Sequence, residues 1–171
     1  MNTVGKLAYG IWQDLDSPTT PSVTFISGWI GAERGVGQLN TLLNLEIIVD
    51  EDGVHAGELF VIGDCSGVYE VGDFYPILGN TEKAIYTELY KVDYYQKKVR
   101  DSLAGILEGG DSLSTDWTSL TEGDTIIRRV NKNEVAKTYR NMSKDSRAYL
   151  DNLVSDYNRN TSMPNQVTFE D

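Results

Sequence analysis

The chain has 171 residues, 40% of them hydrophobic, which suits a folded protein whose core needs neither a metal nor a disulfide. Its formal net charge is −11, and residues 1–82 carry only Lys6 and Arg34 against twelve acidic residues. Such a balance argues against a surface that grips DNA phosphates, which needs clustered Lys and Arg. Cys65 and His55 are each the only residue of their kind, which removes internal disulfides, cysteine-based zinc sites and most imidazole-dependent catalysis.

The acidic half suits a surface that repels DNA or docks on a basic partner; a solubilising acidic face is the plainer alternative. No apolar run reaches the ~18 residues that a membrane span requires. The N-terminal stretch acquires an Asp before any apolar run develops, so no secretory signal is expected and the chain should stay in the cytoplasm where it is made.

Ser22, with Pro21 just outside, predicts the start of a helix that runs to Leu43. Gly28, Gly31, Gly35 and Gly37 fall within it. They match neither a phosphate loop, which needs a Gly-Lys-Ser/Thr ending, nor the Gly-x-Gly-x-x-Gly of a dinucleotide fold. The reading is a helix whose glycines permit close approach or a bend, so that a larger residue at Gly31 or Gly37 should disturb packing. Next, Leu45–Val49 and Glu58–Ile62 flank the turn Asp50-Glu51-Asp52-Gly53, which predicts a β-hairpin insertion at about 45–63. The turn lacks the spacing of a calcium loop, because Glu58 arrives too early to close it. His55 and Cys65 lie ten residues apart, so a thiolate–imidazole pair stays open beside the commoner reading of Cys65 as a small buried hydrophobe.

A long helix is predicted from Asn80, as N-cap, to Gly109-Gly110. Ile85, Leu89, Val92, Tyr95 or Gln96, Val99, Leu103 and Ile106 step by three or four along one core-facing stripe. Tyr86, Tyr90 and Tyr94 form a second stripe beside it, read as a subunit interface, with an enlarged core as the competing explanation. Residues 117–130 predict a short strand or a hairpin with its turn at Glu122-Gly123-Asp124. The second long helix starts at Asn131, with Glu134 completing a capping box, and ends near Arg159-Asn160. Its expected buried stripe is Val135, Tyr139, Met142, Ser146, Tyr149, Leu153 and Tyr157. Lys137, Arg140, Lys144 and Arg147 make a basic ridge opposite; it is either a solvated face or a contact for the acidic half of another copy in a head-to-tail ring. Residues 161–171 form an extended tail whose Pro164, Val167 and Phe169 would be ordered by lying on a neighbour.

The resulting fold class is mainly α. Two long antiparallel helices and a shorter N-terminal helix form one domain over 1–160, with small β-hairpin insertions. No catalytic, metal-binding or cofactor-binding residues are assigned.

Three blocks carry a family resemblance: Ser27-Gly28-Trp29-Ile30 with Gly37 to Leu43, Glu82 to Tyr95 continuing to Arg100 and Leu103, and Val130 to Tyr139 continuing through Leu150 to Asn160 and Pro164-x-Gln166-Val167. In these the chain resembles the head-to-tail connector, or neck, proteins of tailed bacteriophages. The resemblance implies a virion structural protein rather than an enzyme: a homo-oligomeric ring adaptor below the portal that receives the tail or its terminator and lines the DNA exit channel without binding DNA specifically. It implies no cofactor, small-molecule ligand or membrane contact. A tail-completion or tail-terminator protein is the alternative within the virion; a small Cys-His hydrolase and a free cytoplasmic regulatory bundle are alternatives of other classes.

Overall fold

The computed structural model describes residues 3–62, 66–69, 71–107, 119–122, 125–128 and 132–162. The protein is mainly helical. In chain order its elements are α1 (Val4–Asp14), α2 (Val23–Gly31), α3 (Glu33–Leu43), β1 (Ile48–Asp50), β2 (Leu59–Ile62), β3 (Ser66–Tyr69), β4 (Asp73–Tyr75), α4 (Asn80–Leu107), β5 (Ser119–Glu122), β6 (Thr125–Arg128) and α5 (Lys132–Ser162). The chain divides into two compact units, Met1–Tyr90 with Leu150–Asp171, and Lys91–Tyr149. Both long helices contribute to both units.

The first unit is built on α1, α2 and α3. Helix α1 was not anticipated: Thr3 precedes it without a side-chain cap bond, and Gly5 and Gly10 dilute its pattern. It forms because Val4, Ala8 and Ile11, spaced by four and three, are buried together as α1 packs on α2. At the far end the Trp12 indole donates to the Pro18 carbonyl at 2.9 Å, and Asp16 and Ser17 adopt positive φ. Ser22 caps α2 as expected, its hydroxyl accepting from the Phe25 amide at 3.3 Å.

The helix expected from Ser22 to Leu43 is two helices, separated at Ala32, whose backbone is extended (φ −73°, ψ 151°). The buried positions explain the break. Val23, Ile26 and Ile30 set a stripe that a continuous helix would carry on to residues 33 or 34, 37 and 41, which here are Glu33, Arg34, Gly37 and Thr41. The next buried apolar residues are Val36, Leu39 and Leu43, out of phase with that stripe. Interrupting the helix restores both sets to the core.

The four glycines then separate in role. A Cβ on Gly35 would lie 2.5 Å from the Trp29 carbonyl oxygen and 2.8 Å from the Tyr86 hydroxyl, so α3 passes α2 at a distance only glycine allows. Gly31 is close-fitting against Val71, at 3.1 Å. Gly28 and Gly37 face open space, which corrects the packing role expected of Gly37.

The hairpin expected at 45–63 also pairs differently. Strand β1 is antiparallel to β4, with Val49 opposite Phe74, while β2 pairs with β3. Residues 50–58 fold as consecutive turns rather than a two-strand connection, with Gly53, Ala56 and Glu58 amides donating to the Asp50, Gly53 and His55 carbonyls. Strand β4 wins because it buries Phe74 against the Tyr86 ring, with centroids 6.0 Å apart, and offers Gly72 where the Asp50 carbonyl crosses too close for any Cβ. The Asn40 side chain secures the entry to β1, donating to the Ile47 carbonyl at 2.8 Å and accepting from its amide at 2.9 Å.

Within each unit α4 and α5 pack antiparallel: in the first the Tyr157 hydroxyl bonds the Glu82 carboxylate, and in the second Tyr95 stacks on Tyr139 at 6.4 Å. The α4 stripe follows the expected spacing, with Ile85 and Val92 buried and Leu89, Val99 and Leu103 half-buried. On α5 the stripe is rotated from the expected one. Met142 and Tyr149 are exposed, and Ala136, Ser143 and Leu150 are buried. With Tyr139, Ser146, Leu153 and Tyr157 these make alternating steps of three and four, the seam of a two-helix pair. Of the strand or hairpin expected at 117–130, the paired form is present: β5 and β6 are antiparallel, with Glu122, expected in the turn, ending β5 opposite Thr125. The expected cap at Asn131, the ends of that hairpin at 117–118 and 129–130 and its turn at 123–124, the Gly109-Gly110 end of α4 and the tail beyond Ser162 lie outside the described residues.

Replacing Gly35 by Ala should lower stability by about 2 kcal/mol or more, because the added carbon meets backbone that cannot retreat. Replacing Gly37 by Ala should raise it by about 0.5–1 kcal/mol, since this is an open helical position. Urea denaturation of the two variants checks the contrast; equal effects would contradict it.

Candidate functional site

The tyrosine stripe expected to form a subunit interface lies partly inside the protein. Tyr86 and Tyr90 are buried in the first unit, so the enlarged-core explanation holds for them. Tyr86 donates to the Ile30 carbonyl at 2.5 Å, and burial drives its phenol pKa well above the ordinary value of 10.0. Trp29 packs on both rings, 6.1 Å from Tyr86 and 5.1 Å edge-on from Tyr90. A buried aromatic and an interfacial one share the same i, i+4 spacing, so sequence alone could not separate them. Tyr94, in the second unit, stays half-buried with Lys98 Nζ 5.5 Å from its ring centroid.

The basic ridge is real as a surface. Lys137, Arg140, Lys144 and Arg147 are all exposed on α5. Arg140 and Lys144 join Arg100 of α4 at a crevice of about 390 Å3, also lined by Gln96, Val99 and Ser143. Sequence reading found the α5 half of this cluster but missed Arg100 and Gln96, because the register of α4 against α5 decides which residues meet. A second cavity, of about 250 Å3, lies beside α1 and mixes Lys6 and Lys83 with Asp14. The tail positions Pro164, Val167 and Phe169 lie outside the described residues.

His55 has a local partner: its Nδ1 is 3.0 Å from the Glu58 carboxylate, and its backbone amide donates to Asp73 at 3.4 Å. Cys65 and Asp64 lie outside the described residues. Among the described residues no group of three or more His, Cys, Asp or Glu side chains could hold a metal ion, and no helix is long and apolar enough to cross a membrane.

The outer face of the β1–β4 ladder pairs two apolar side chains with two acidic ones, Asp50 standing opposite Asp73 next along it. Ile48 and Tyr75 stand directly opposite each other, on the face away from Phe74, and are 58% and 67% exposed. Ile77 follows at 79%, and Val54 in the turn after β1 is 84% exposed. The expected hairpin at 45–63 did not include Tyr75 or Ile77, so it is the β1–β4 pairing that brings Ile48 and Tyr75 together.

The hydrogen bond to Glu58 holds the His55 pKa above its ordinary value of 6.5. The contribution of this pair to stability is therefore complete below about pH 6.5 and lost as the pH rises through the elevated folded-state value. NMR titration should place the His55 midpoint above 6.5, and Glu58→Gln should move it back down; an unmoved midpoint would show that the pair does not act. No protein-family model, curated protein or solved structure shows a significant match to the chain.

Proposed function

We propose that this chain is a structural assembly subunit, a ring-forming adaptor of the phage neck that joins the portal to the tail. The observation that carries the assembly reading is the exposed apolar pair Ile48 and Tyr75, opposed on a two-strand ladder, with Ile77 exposed just beyond the end of β4. Exposed large apolar side chains close together on a surface favour burial against another protein. The basic crevice on the α4–α5 pair supports a second, polar contact of the same kind. The more specific assignment to a phage neck rests on the resemblance in the Trp29, Tyr86 and Tyr139 blocks. In that setting the surplus of negative charge suits a channel wall along which DNA slides without adhering. The subunit would act in the virion after being made in the host cytoplasm.

Native mass spectrometry of the purified full chain, alone and mixed with its portal protein, tests the reading. The expected result is a closed ring in one of the two conditions. Tyr75→Asp with Ile77→Asp should reduce complex formation by about tenfold or more while circular dichroism stays unchanged. A chain that is monomeric in both conditions would refute it. A complex with tail-tube protein but not portal would transfer the assignment to a tail-completion or terminator protein, and an activity lost in Cys65→Ala would point to a hydrolase.

A further inference from the structure

The two units differ sharply in charge. Met1–Tyr90 with Leu150–Asp171 holds four basic and seventeen acidic residues, net −13, whereas Lys91–Tyr149 holds eleven basic and nine acidic, net +2. Within the second unit, Arg100, Arg140 and Lys144 line the crevice together with the buried Ser143 and the half-buried Val99. None of the three cations has an ion-pair partner among the described residues. Arg140 and Lys144 are also four apart on one helix, where like charges repel. Three cations gathered without a carboxylate favour an incoming anion.

The first unit presents a segment of opposite charge. Asp50, Glu51 and Asp52 are exposed in the turn that leaves β1, and Val54 beside them is 84% exposed. This projection is preformed: the Asp52 amide donates to Asp50 Oδ1 at 3.1 Å, the Gly53 amide to the Asp50 carbonyl at 3.2 Å, and the His55 amide to Asp73 at 3.4 Å. Three exposed carboxylates lead into one exposed apolar side chain in the turn, and three cations line the crevice together with Val99.

We propose that the crevice at Arg100, Arg140 and Lys144 receives the Asp50–Val54 turn of a second copy of this chain. The contact rests on the assembly reading above and makes it specific: it joins two different surfaces head to tail, the kind of interface that generates a ring when its rotation closes. A nucleic-acid backbone is the weaker occupant. Three cations release few counterions, and a chain of net charge −11 repels phosphate at long range.

The test uses full-length chains carrying Cys65→Ser, one population with Val54→Cys and another with Gln96→Cys, Gln96 being an exposed residue of the crevice wall. Mixing them under mild oxidation should give the mixed disulfide dimer in clear excess over either like pair. Arg140→Glu with Lys144→Glu on the Gln96→Cys chain should lower its yield about tenfold, as should Glu51→Lys with Asp52→Lys on the Val54→Cys chain. Mixing the two reversed chains should restore the yield, with circular dichroism unchanged throughout. No mixed dimer, reversals without effect, or a double reversal that fails to rescue would each overturn the proposal. So would crevice-dependent binding of a short DNA duplex with the dimer yield unaltered by the reversals. Portal binding without rescue would reject this contact and keep the neck reading; rescue in a chain that forms no closed ring, alone or with portal, would keep the contact and reject that reading.

Discussion

The first unit depends on one buried hydrogen bond, from the Tyr86 hydroxyl to the carbonyl of Ile30. Ile30 lies in the last turn of α2, where carbonyls have no partner within their own helix. Breaking the helix at Ala32 lets Val23, Ile26, Ile30, Val36, Leu39 and Leu43 all reach the core, but it strands that carbonyl in an apolar interior. An unpaired buried carbonyl costs about 1–3 kcal/mol. Tyr86 supplies the donor from α4, and Gly35 leaves the space its ring and hydroxyl need. Three helices are thereby tied at a single point, with Trp29 and Phe74 packed around the tyrosine ring.

From that knot the candidate surfaces follow. Phe74 packs on Tyr86 and so commits one face of the β1–β4 ladder to the core. Strand alternation then turns Ile48 and Tyr75 outward. The same pairing releases residues 50–58 from any strand role, and they close into turns that present Asp50, Glu51, Asp52 and Val54. The acidic projection and the exposed apolar pair are consequences of which strand β1 chooses. In the second unit the determining feature is the helix seam: burying Ala136 and Ser143 rotates Arg140 and Lys144 to the edge of α5, where Arg100 of α4 meets them.

Much of the long-helix architecture was legible because it is local. Asn80 opens α4 as its first residue, one place from the cap position expected, and α5 ends within two residues of the expected Asn160. The α4 stripe was legible because its apolar residues are unmixed. On α5, Met142 and Tyr149 drew the expected stripe toward the wrong face, since a small Ala or Ser at a close helix seam carries little hydrophobic signal and a large exposed side chain carries much. Among the candidate site residues, the exposure of Lys137, Arg140, Lys144 and Arg147 could be read from helical phase. The burial of Tyr86 and Tyr90 could not, because it is set by Trp29, which lies more than fifty residues earlier in the chain.

The sequence by itself determined the helical class, where α4 begins and α5 ends, and the uneven distribution of charge. Each of these depends on propensity, capping or periodicity over a few residues. The tertiary structure alone decided the break at Ala32, the partner of β1, the α5 seam and the meeting of Arg100 with Arg140 and Lys144. These are choices between arrangements that local energetics leave nearly equal. They are resolved by the burial of Phe74 and Tyr86, the closeness that Gly35 and Gly72 permit, and the satisfaction of a single carbonyl at Ile30.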